Sequence, residues 1–545
     1  INAMRGIHNV QGATDMGLSH ILPAYLAVPK KEQKLENYWS SYGKARLGKF
    51  RQNEIFNILT DDFQEDKFSG HRGGKGMGLW GISYEQLPKG NGYSSQVMLR
   101  KAKEGVIKAL VIFGENPMVS SPNLNIVKEA FKNLELLVVV DIFESESAAA
   151  ERNENSSTYM LPASTFAERA GSVTNSGRCV QWRYKAINPL YNSKSDLEIL
   201  INLAEKLYEK GALNFDTNKF NSSHEAFNYA FNYGYLNNGN TNFDCEKVAE
   251  NVLKEVMKCC WIYDVIGKYA GVIETRSVDE FGDEVINKGT NYAKRRDNIS
   301  DNGEGVYPGW GWTWPINRHV LYYVYPEKGK NLEIQYKFKD DTYRPNKKGS
   351  YFIPNDGFLT KEGVAALGAL TSPLKDGFLP KHMEPIESPY PDLSEKYPPY
   401  VKFDTDTKKN TSNVGELEIG DVSEFPYVLT TFRLLEHMLA GQTTRNIPYL
   451  VELEPEPFCE INEKLAKEKN INNNDYVKIS TKRGSIKVKA RVNGRVNEKT
   501  IAVTWHWGFK GLSTGDSANY LVIDAVDPNA SIPEYKVALC NIEKA

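Results

Sequence analysis

The stretch from Gly105 to Ile142 limits the possible folds of this chain more than any other segment. Gly105 to Phe113 (GVIKALVIF) is a short apolar run ending in Gly114-Glu115-Asn116-Pro117. Leu124, Val127, Phe131 and Leu134 then recur at the spacing of one helix face. Leu136 to Ile142 (LLVVVDI) is a second run, rich in β-branched residues. Strand, helix and strand at this spacing predict a βαβ unit in a parallel sheet. Further on, Ser195-Asp196-Leu197-Glu198 reads as a capping box, opening a helix with Leu197, Leu200, Ala204 and Leu207 on one face.

The remaining sequence changes character twice. From about residue 211 to 420, Asn, Tyr, Gly and Pro are frequent and periodicity is poor, which suggests an insertion packed on a core. From about 421 to 545 the pattern is β. Tyr476 to Ser480 and Ile486 to Val492 alternate apolar and polar residues, with Lys482-Arg483-Gly484 between them as a hairpin turn. Thr500 to Trp507 is another strand candidate, and several short strands separated by turns suggest a small barrel. The expected domains are therefore an α/β region over 1–210, an insertion and connecting region over 211–420, and a β-barrel over 421–545.

Composition excludes several function classes. A net charge of -2 provides no basic face, so no nucleic-acid partner is expected. No run of 18 apolar residues is present, so no membrane span is expected. The six cysteines contain no C-x-x-C pair, the knuckle of a zinc ribbon, and no cluster of four thiolates that would hold an iron–sulfur centre. They read as packed or free thiols, and no metal ligand is expected from this chain.

The most polar motif lies near the start, from Arg5-Gly6-Ile7-His8-Asn9-Val10-Gln11-Gly12 to Ala13-Thr14-Asp15-Met16-Gly17. Glycines, amides, an Arg and an Asp in one stretch suit a loop lining a polar cleft, where an Arg can hold a carboxylate by two parallel hydrogen bonds. On the residues alone a structural turn remains the alternative. The stretch resembles the R-G-x-x-N-x-Q-G-x-x-D-M-G segment of the formate dehydrogenases of the molybdopterin oxidoreductase family. Arg5 matches the arginine that orients formate beside the metal in that family. Ile7 stands where those proteins carry a polar residue.

The resemblance continues through Val111-Ile112-Phe113-Gly114-Glu115-Asn116-Pro117, Val140-Asp141, Leu161-Pro162 and Phe166 to Arg178, in family order. By that likeness Gly114, Asn116, Asp141, Arg169 and Asp196 contact a pterin dinucleotide. The residue chemistry agrees, because the loops after parallel strands form a ligand crevice, where an Asp pairs with guanine or ribose donors and an Arg with phosphate. An ordinary α/β edge with a surface Arg and Asp is the alternative on chemistry alone. Thr430-Thr431-Phe432-Arg433-Leu434-Leu435-Glu436-His437 resembles the T-x-R-x-x-E-H signature that opens the family's C-terminal barrel, which implies cofactor contacts from Thr431, Arg433, Glu436 and His437. Met438-Leu439-Ala440 departs from the aromatic and His residues of many relatives. Trp507, Asn519 and Lys536 match an aromatic, an Asn and a Lys that contact the same dinucleotide; for the tryptophan, core packing is the alternative.

Cys260-Trp261-Ile262-Tyr263 and Trp310-Gly311-Trp312-Thr313-Trp314-Pro315-Ile316-Asn317-Arg318 resemble an insertion of the respiratory, membrane-associated subfamily. His71 to Gly78 lacks the order of a P-loop and reads as a flexible loop. The resemblance implies an α/β fold, with a Rossmann-like parallel-sheet region followed by a six-stranded double-psi-like barrel. It implies a bis-molybdopterin guanine dinucleotide cofactor with Mo or W, and formate as substrate. It also implies an iron–sulfur beta subunit and, through it, a membrane cytochrome b gamma subunit, at the periplasmic side of the inner membrane. The family's [4Fe-4S] domain and metal-ligating selenocysteine or cysteine would lie upstream of Ile1, so the chain reads as the C-terminal part of the catalytic subunit. A related reductase such as a nitrate reductase, or a noncatalytic cofactor- or partner-binding module, is the alternative.

Overall fold

In a computed structural model the structure describes residues 9–15, 18, 28–34, 37, 89–90, 92–175, 179–212, 245–246, 248–249, 382–399, 416–527 and 531–545, and the backbone of short strands between 271 and 410. Arg5, the His71–Gly78 loop and Cys260–Tyr263 lie outside the described residues. The Trp310–Arg318 stretch is described only as backbone strands. The chain divides into two compact units. One contains Ile1–Gly92, Thr165–Leu190 and Leu197–Leu379; the other contains Tyr93–Ser164, Tyr191–Asp196 and Pro380–Ala545.

The second unit contains the expected βαβ element. Strands β1 (Ala109–Phe113), β2 (Leu136–Asp141) and β3 (Ser157–Pro162) form a three-stranded sheet in the order β1-β2-β3. Both pairings are parallel, with Phe113 opposite Val140 and Asp141 opposite Pro162. Helix α1 (Ser95–Lys103) precedes β1, and helix α2 (Leu124–Asn133) joins β1 to β2. The spacing of Leu124, Val127 and Phe131 puts all three on the buried face of α2, and Leu134 is buried just beyond its end. Each such side chain contributes roughly 1.5–3 kcal/mol by leaving water.

The same unit contains a closed barrel of six strands: β6 (Tyr427–Phe432), β7 (Phe458–Asn462), β8 (Tyr476–Thr481), β9 (Gly484–Asn493), β10 (Thr500–Thr504) and β11 (Ala538–Lys544). Their order around the barrel is β6-β10-β7-β9-β8-β11. Pairs β6/β10 and β7/β9 are parallel and the other four are antiparallel. Period-two patterning sets the interior: Val477 and Ile479 of β8 and Ile486, Val488 and Ala490 of β9 point into one core with Leu429, Ile501 and Val503. Cys459 and Cys540 pack in that core as free thiols, and burial pushes the Cys459 thiol up to about 12.

A buried ion pair seals the β8–β9 hairpin. Arg483 sits in the turn, yet its side chain is fully buried against Glu387, with Nη1–Oε1 at 2.5 Å and Nη2–Oε2 at 3.0 Å. Glu387 also accepts the backbone N–H groups of Gly420 and Leu539, at 2.6 and 2.7 Å.

In the first unit, β4 (Gly171–Thr174) and β5 (Cys179–Arg183) pair antiparallel, and β5 pairs with Trp310–Trp312. One expectation is corrected there and another is met. The opening polar motif is not a loop throughout, because Val10–Asp15 is helical. Asn9 adopts a left-handed φ of 64° ahead of that helix, and its Oδ1 accepts the Thr174 N–H at 3.0 Å. In helix α3 (Asp196–Glu209) the buried residues are Ile199 and Ile201, while Leu200, Leu203 and Leu207 are exposed. Apolar spacing marks a helix face without fixing what covers it.

Replacing Glu387 by Gln leaves the buried Arg483 charge uncompensated. It should destabilise the second unit by about 3–5 kcal/mol. Lys478→Ala, at the exposed Lys478–Glu543 pair, should change stability by less than about 1 kcal/mol. Chemical denaturation of both variants checks the contrast, and equal midpoints would contradict it.

Candidate functional site

Within the second unit, the ends of two kinds of parallel strand meet. β1 and β2 end at Phe113 and Asp141, and β6 and β10 end at Phe432 and Thr504. The loops that follow, around 114–120, 142–149, 433–447 and 505–517, are joined by side-chain bonds. Loops at the carboxyl ends of parallel strands are where an α/β fold presents a ligand crevice.

A buried ion pair fixes this junction. Glu146, from the loop after β2, and Arg445, from the loop after β6, meet at 2.8 Å with essentially no solvent contact. Glu146 also accepts the Asn116 amide at 2.6 Å and the Lys510 N–H at 2.9 Å. Arg445 donates from Nη1 to the carbonyls of Lys510 and Ser513. Asn116 completes the lock by accepting the N–H and hydroxyl of Ser147, at 3.1 and 2.8 Å. The backbone passes so close that only glycine fits twice: a Cβ on Gly441 would strike the His506 carbonyl, and one on Gly508 would strike the Glu146 carboxylate.

The barrel-end residues expected from sequence fall into two groups. Thr431, His437, Trp507 and Asn519 are buried and bonded to protein. Thr431 Oγ1 donates to the Tyr535 carbonyl at 3.0 Å, and Asn519 Nδ2 to the Val119 carbonyl at 2.6 Å. His437 bonds Thr444 through Nδ1 and the Glu454 carbonyl through Nε2. Trp507 has no exposed surface and donates its indole N–H to Ser513 at 2.8 Å. Arg433, Glu436 and Lys536 are not enclosed in this way. Arg433 lies 5.2 Å from the Trp505 ring centre, and Lys536 Nζ donates to the Thr431 carbonyl at 2.5 Å. Partial burial, followed by the Arg433 cation, draws the Lys536 amine below its ordinary value. Neither cation meets a carboxylate among the described residues.

On the sheet side, Gly114 turns the chain with a φ of 58° after β1. Asp141 is 3% exposed; its Oδ1 accepts the Ile142 N–H at 2.7 Å and its Oδ2 accepts the Gln442 amide at 2.5 Å. Burial raises its pKa, and the nearby Asp196 carboxylate adds to that rise. Arg169 lies half-buried in the first unit. The crevice thus brings together two cations free of acids, which suit a pyrophosphate, and a carboxylate short of cations, which suits N–H or O–H donors. That donor set fits a dinucleotide.

Comparison with known proteins agrees with this chemistry. Residues 10–206 match the family described as molybdopterin oxidoreductase, and residues 427–539 match the molydopterin dinucleotide binding domain. The chain belongs to the molybdopterin oxidoreductase family. The formate dehydrogenase subunit alpha of Megalodesulfovibrio gigas is 28% identical over all of this chain and 57% of its own length. The nitrate-inducible formate dehydrogenase major subunit of Escherichia coli (strain K12) is 30% identical, again over all of this chain and 57% of its own length. The formate dehydrogenase 2 subunit alpha (cytochrome c-553) of Nitratidesulfovibrio vulgaris is 30% identical, over 56% of its length. The chain therefore spans somewhat over half the length of these curated relatives. Its cofactor class is a molybdopterin dinucleotide, the ligand of the matched barrel domain.

Glu146, Gln442, Arg445 and His506 lie at the candidate site, and sequence reasoning did not assign them. Their signals were present in part. Glu146 is an acid in a run of small residues, Ser145 to Ala150, and Gln442 and Arg445 stand beside the recognised family signature. Nothing in sequence pairs an acid with an arginine 299 positions away.

His506 lies between these loops with no exposed surface. Its Nε2 accepts the Leu434 N–H at 2.9 Å, so Nδ1 carries the proton donated to the Leu439 carbonyl at 2.6 Å. Burial first, then the neighbouring His437 and arginines, lower its pKa from 6.5 to about 4. The unfolded chain therefore binds the proton more tightly. Stability from this group is complete above about pH 6.5 and falls as pH drops toward 4, by about 3 kcal/mol. Denaturant midpoints at pH 7 and pH 4.5 should differ less in His506→Gln than in the parent, and an identical pH dependence would refute the assignment.

Proposed function

We propose that this chain is the cofactor-holding part of a formate dehydrogenase catalytic subunit, in which formate is oxidised to carbon dioxide. The single observation behind this reading is the crevice at the joined strand ends, which carries the Arg433 and Lys536 cations within the family's two matched regions. When bound, the cofactor, two molybdopterin guanine dinucleotides with molybdenum or tungsten, supplies the two-electron redox chemistry.

The chain's own residues bind and orient. Arg433 and Lys536 take phosphate oxygens, each cation free to form charge-assisted hydrogen bonds. Asp141 accepts from the nucleoside end, with Asp196 beside it. Gly114 and Asn116 shape the turn after β1, while Thr431, His437, Trp507 and Asn519 hold the barrel loops in place. Glu436 and Arg169 serve as further polar contacts. Arg5 would hold the formate carboxylate and so orient the substrate. In the proposed domain organisation, 1–210 is the α/β region, 211–420 a subfamily insertion and connecting region, and 421–545 the dinucleotide-binding barrel. An iron–sulfur beta subunit, and through it a membrane cytochrome b at the periplasmic face of the inner membrane, would take up the electrons. The relatives named formate dehydrogenase, matched over the whole chain, support formate over other substrates of the family.

Two measurements on the complete subunit test the reading. In Arg433→Ala and Lys536→Ala, guanine nucleotide released per polypeptide on denaturation should fall well below the parent value, since each loses a charge-assisted bond worth about 1.5–3 kcal/mol. Full occupancy in both would count against phosphate binding there. In Arg5→Ala, formate turnover should drop about a hundredfold or more while metal content stays near normal; an unchanged rate sinks the role of Arg5. A parent protein that reduces nitrate but does not oxidise formate would instead be a nitrate reductase. One that holds nucleotide without turning over either substrate would be a binding module.

A further inference from the structure

Among the described residues, Asp141 is the one sheet residue at the crevice whose side chain is bonded directly by a side chain of the barrel loop, Gln442. We infer that Gln442 is a positioning residue: its amide N–H holds the Asp141 carboxylate so that the acceptor face of the sheet is presented to the nucleoside end of the cofactor. This rests on the assignment of Asp141 in the proposed function.

Three features carry the inference. The bond is short, at 2.5 Å, and is the only side-chain bond to Asp141 among the described residues. The other donors are the backbone N–H groups of Ile142 and Phe143, from Asp141's own loop. Second, the charged group facing Asp141 is another acid, Asp196, the first residue of α3, and no cation faces Asp141 among the described residues. Burial beside an acid favours the protonated carboxyl, which has one acceptor fewer and presents a donor where ligand N–H or O–H groups need an acceptor. The Gln442 amide opposes that outcome by hydrogen-bonding the charged form. Third, the Gln442 backbone is itself held. Its carbonyl accepts the Asn446 amide at 2.6 Å, and it lies between Gly441, which only glycine can occupy, and the buried Arg445. The amide therefore reaches Asp141 from a fixed base.

The geometry separates this role from simple packing. A side chain of the same length without a donor fills the same space but leaves Asp141 to its acidic neighbour. In Gln442→Met, in the complete cofactor-loaded subunit, nucleotide loss at the acid end of the pH range should be about tenfold faster than in the parent. The difference should shrink as pH rises and Asp141 ionises unaided. Gln442→Glu, which sets a third acid against the pair, should lose nucleotide faster still and need a higher pH to recover. Thermal unfolding of the cofactor-free protein should change little in Gln442→Met.

The experiment is the rate of guanine nucleotide release from parent, Gln442→Met, Gln442→Glu and Asp141→Asn between pH 5.5 and 9. Faster release in both Gln442 variants, recovering with pH, supports the positioning role. Parent-like release in both, with rapid release from Asp141→Asn, overturns the Gln442 inference and leaves Asp141 assigned. Equally fast release at all pH values in Gln442→Met also overturns it, because a packing role has no titration. Parent-like release from Asp141→Asn removes the assignment of Asp141 itself, and the inference with it.

Discussion

The Arg445–Glu146 ion pair is the constraint on which the crevice depends. It joins a loop of the parallel sheet to a loop of the barrel, and both groups are out of water. A buried charge there needs a partner, and losing that partner typically costs about 3–5 kcal/mol; both terminal nitrogens of Arg445 are bonded, while its Nε has no hydrogen-bond partner. The pair therefore acts less as a source of stability than as a selector of geometry. Glu146 has separate oxygens for Asn116 and for Arg445, so the turn after β1 is bound into the same network. Gly441 and Gly508 follow from it, because the loops must pass within van der Waals contact for these bonds to form.

Arginine has two distinct roles in this unit, and what it meets tells them apart. Arg445 and Arg483 are buried, each opposite a buried glutamate, and each also bonds carbonyls. Their hydrogen-bonding capacity is directed inward. Arg433 rests beside an indole without an acid, and Lys536 reaches only a carbonyl. Cations that the protein leaves uncompensated at a strand-end crevice are the ones available to an anionic ligand. The contrast lies in the partners, since all four residues are equally basic in sequence.

Much of this architecture was legible from residue patterns. Leu124, Val127 and Phe131 marked a buried helix face, and the alternation in β8 and β9 gave the barrel's hairpin with its turn at Lys482-Arg483. These features are local, so a short window contains all the information they need. What escaped was non-local. Arg483 looks like an ordinary turn residue until Glu387 is brought to it, and Glu146 looks like a loop acid until Arg445 arrives. Helix α3 shows the other limit: its leucine face was correctly seen as a face, but its exposure depends on neighbours that periodicity does not identify. Arg5, the residue to which the opening motif points most directly, lies outside the described residues.

The second unit is assembled from three pieces of chain, Tyr93–Ser164, Tyr191–Asp196 and Pro380–Ala545, with Leu197–Leu379 of the first unit between the last two. During synthesis the parallel sheet emerges first, and Glu146 then has no arginine to face. At about 5–20 residues per second, the ribosome needs ~15–60 s more before Arg445 leaves it. Until then the strand ends of the sheet are an open acidic edge, and the early half of the chain must persist in a state with an unmatched buried charge or keep that loop in water. The crevice is thus a late product of translation.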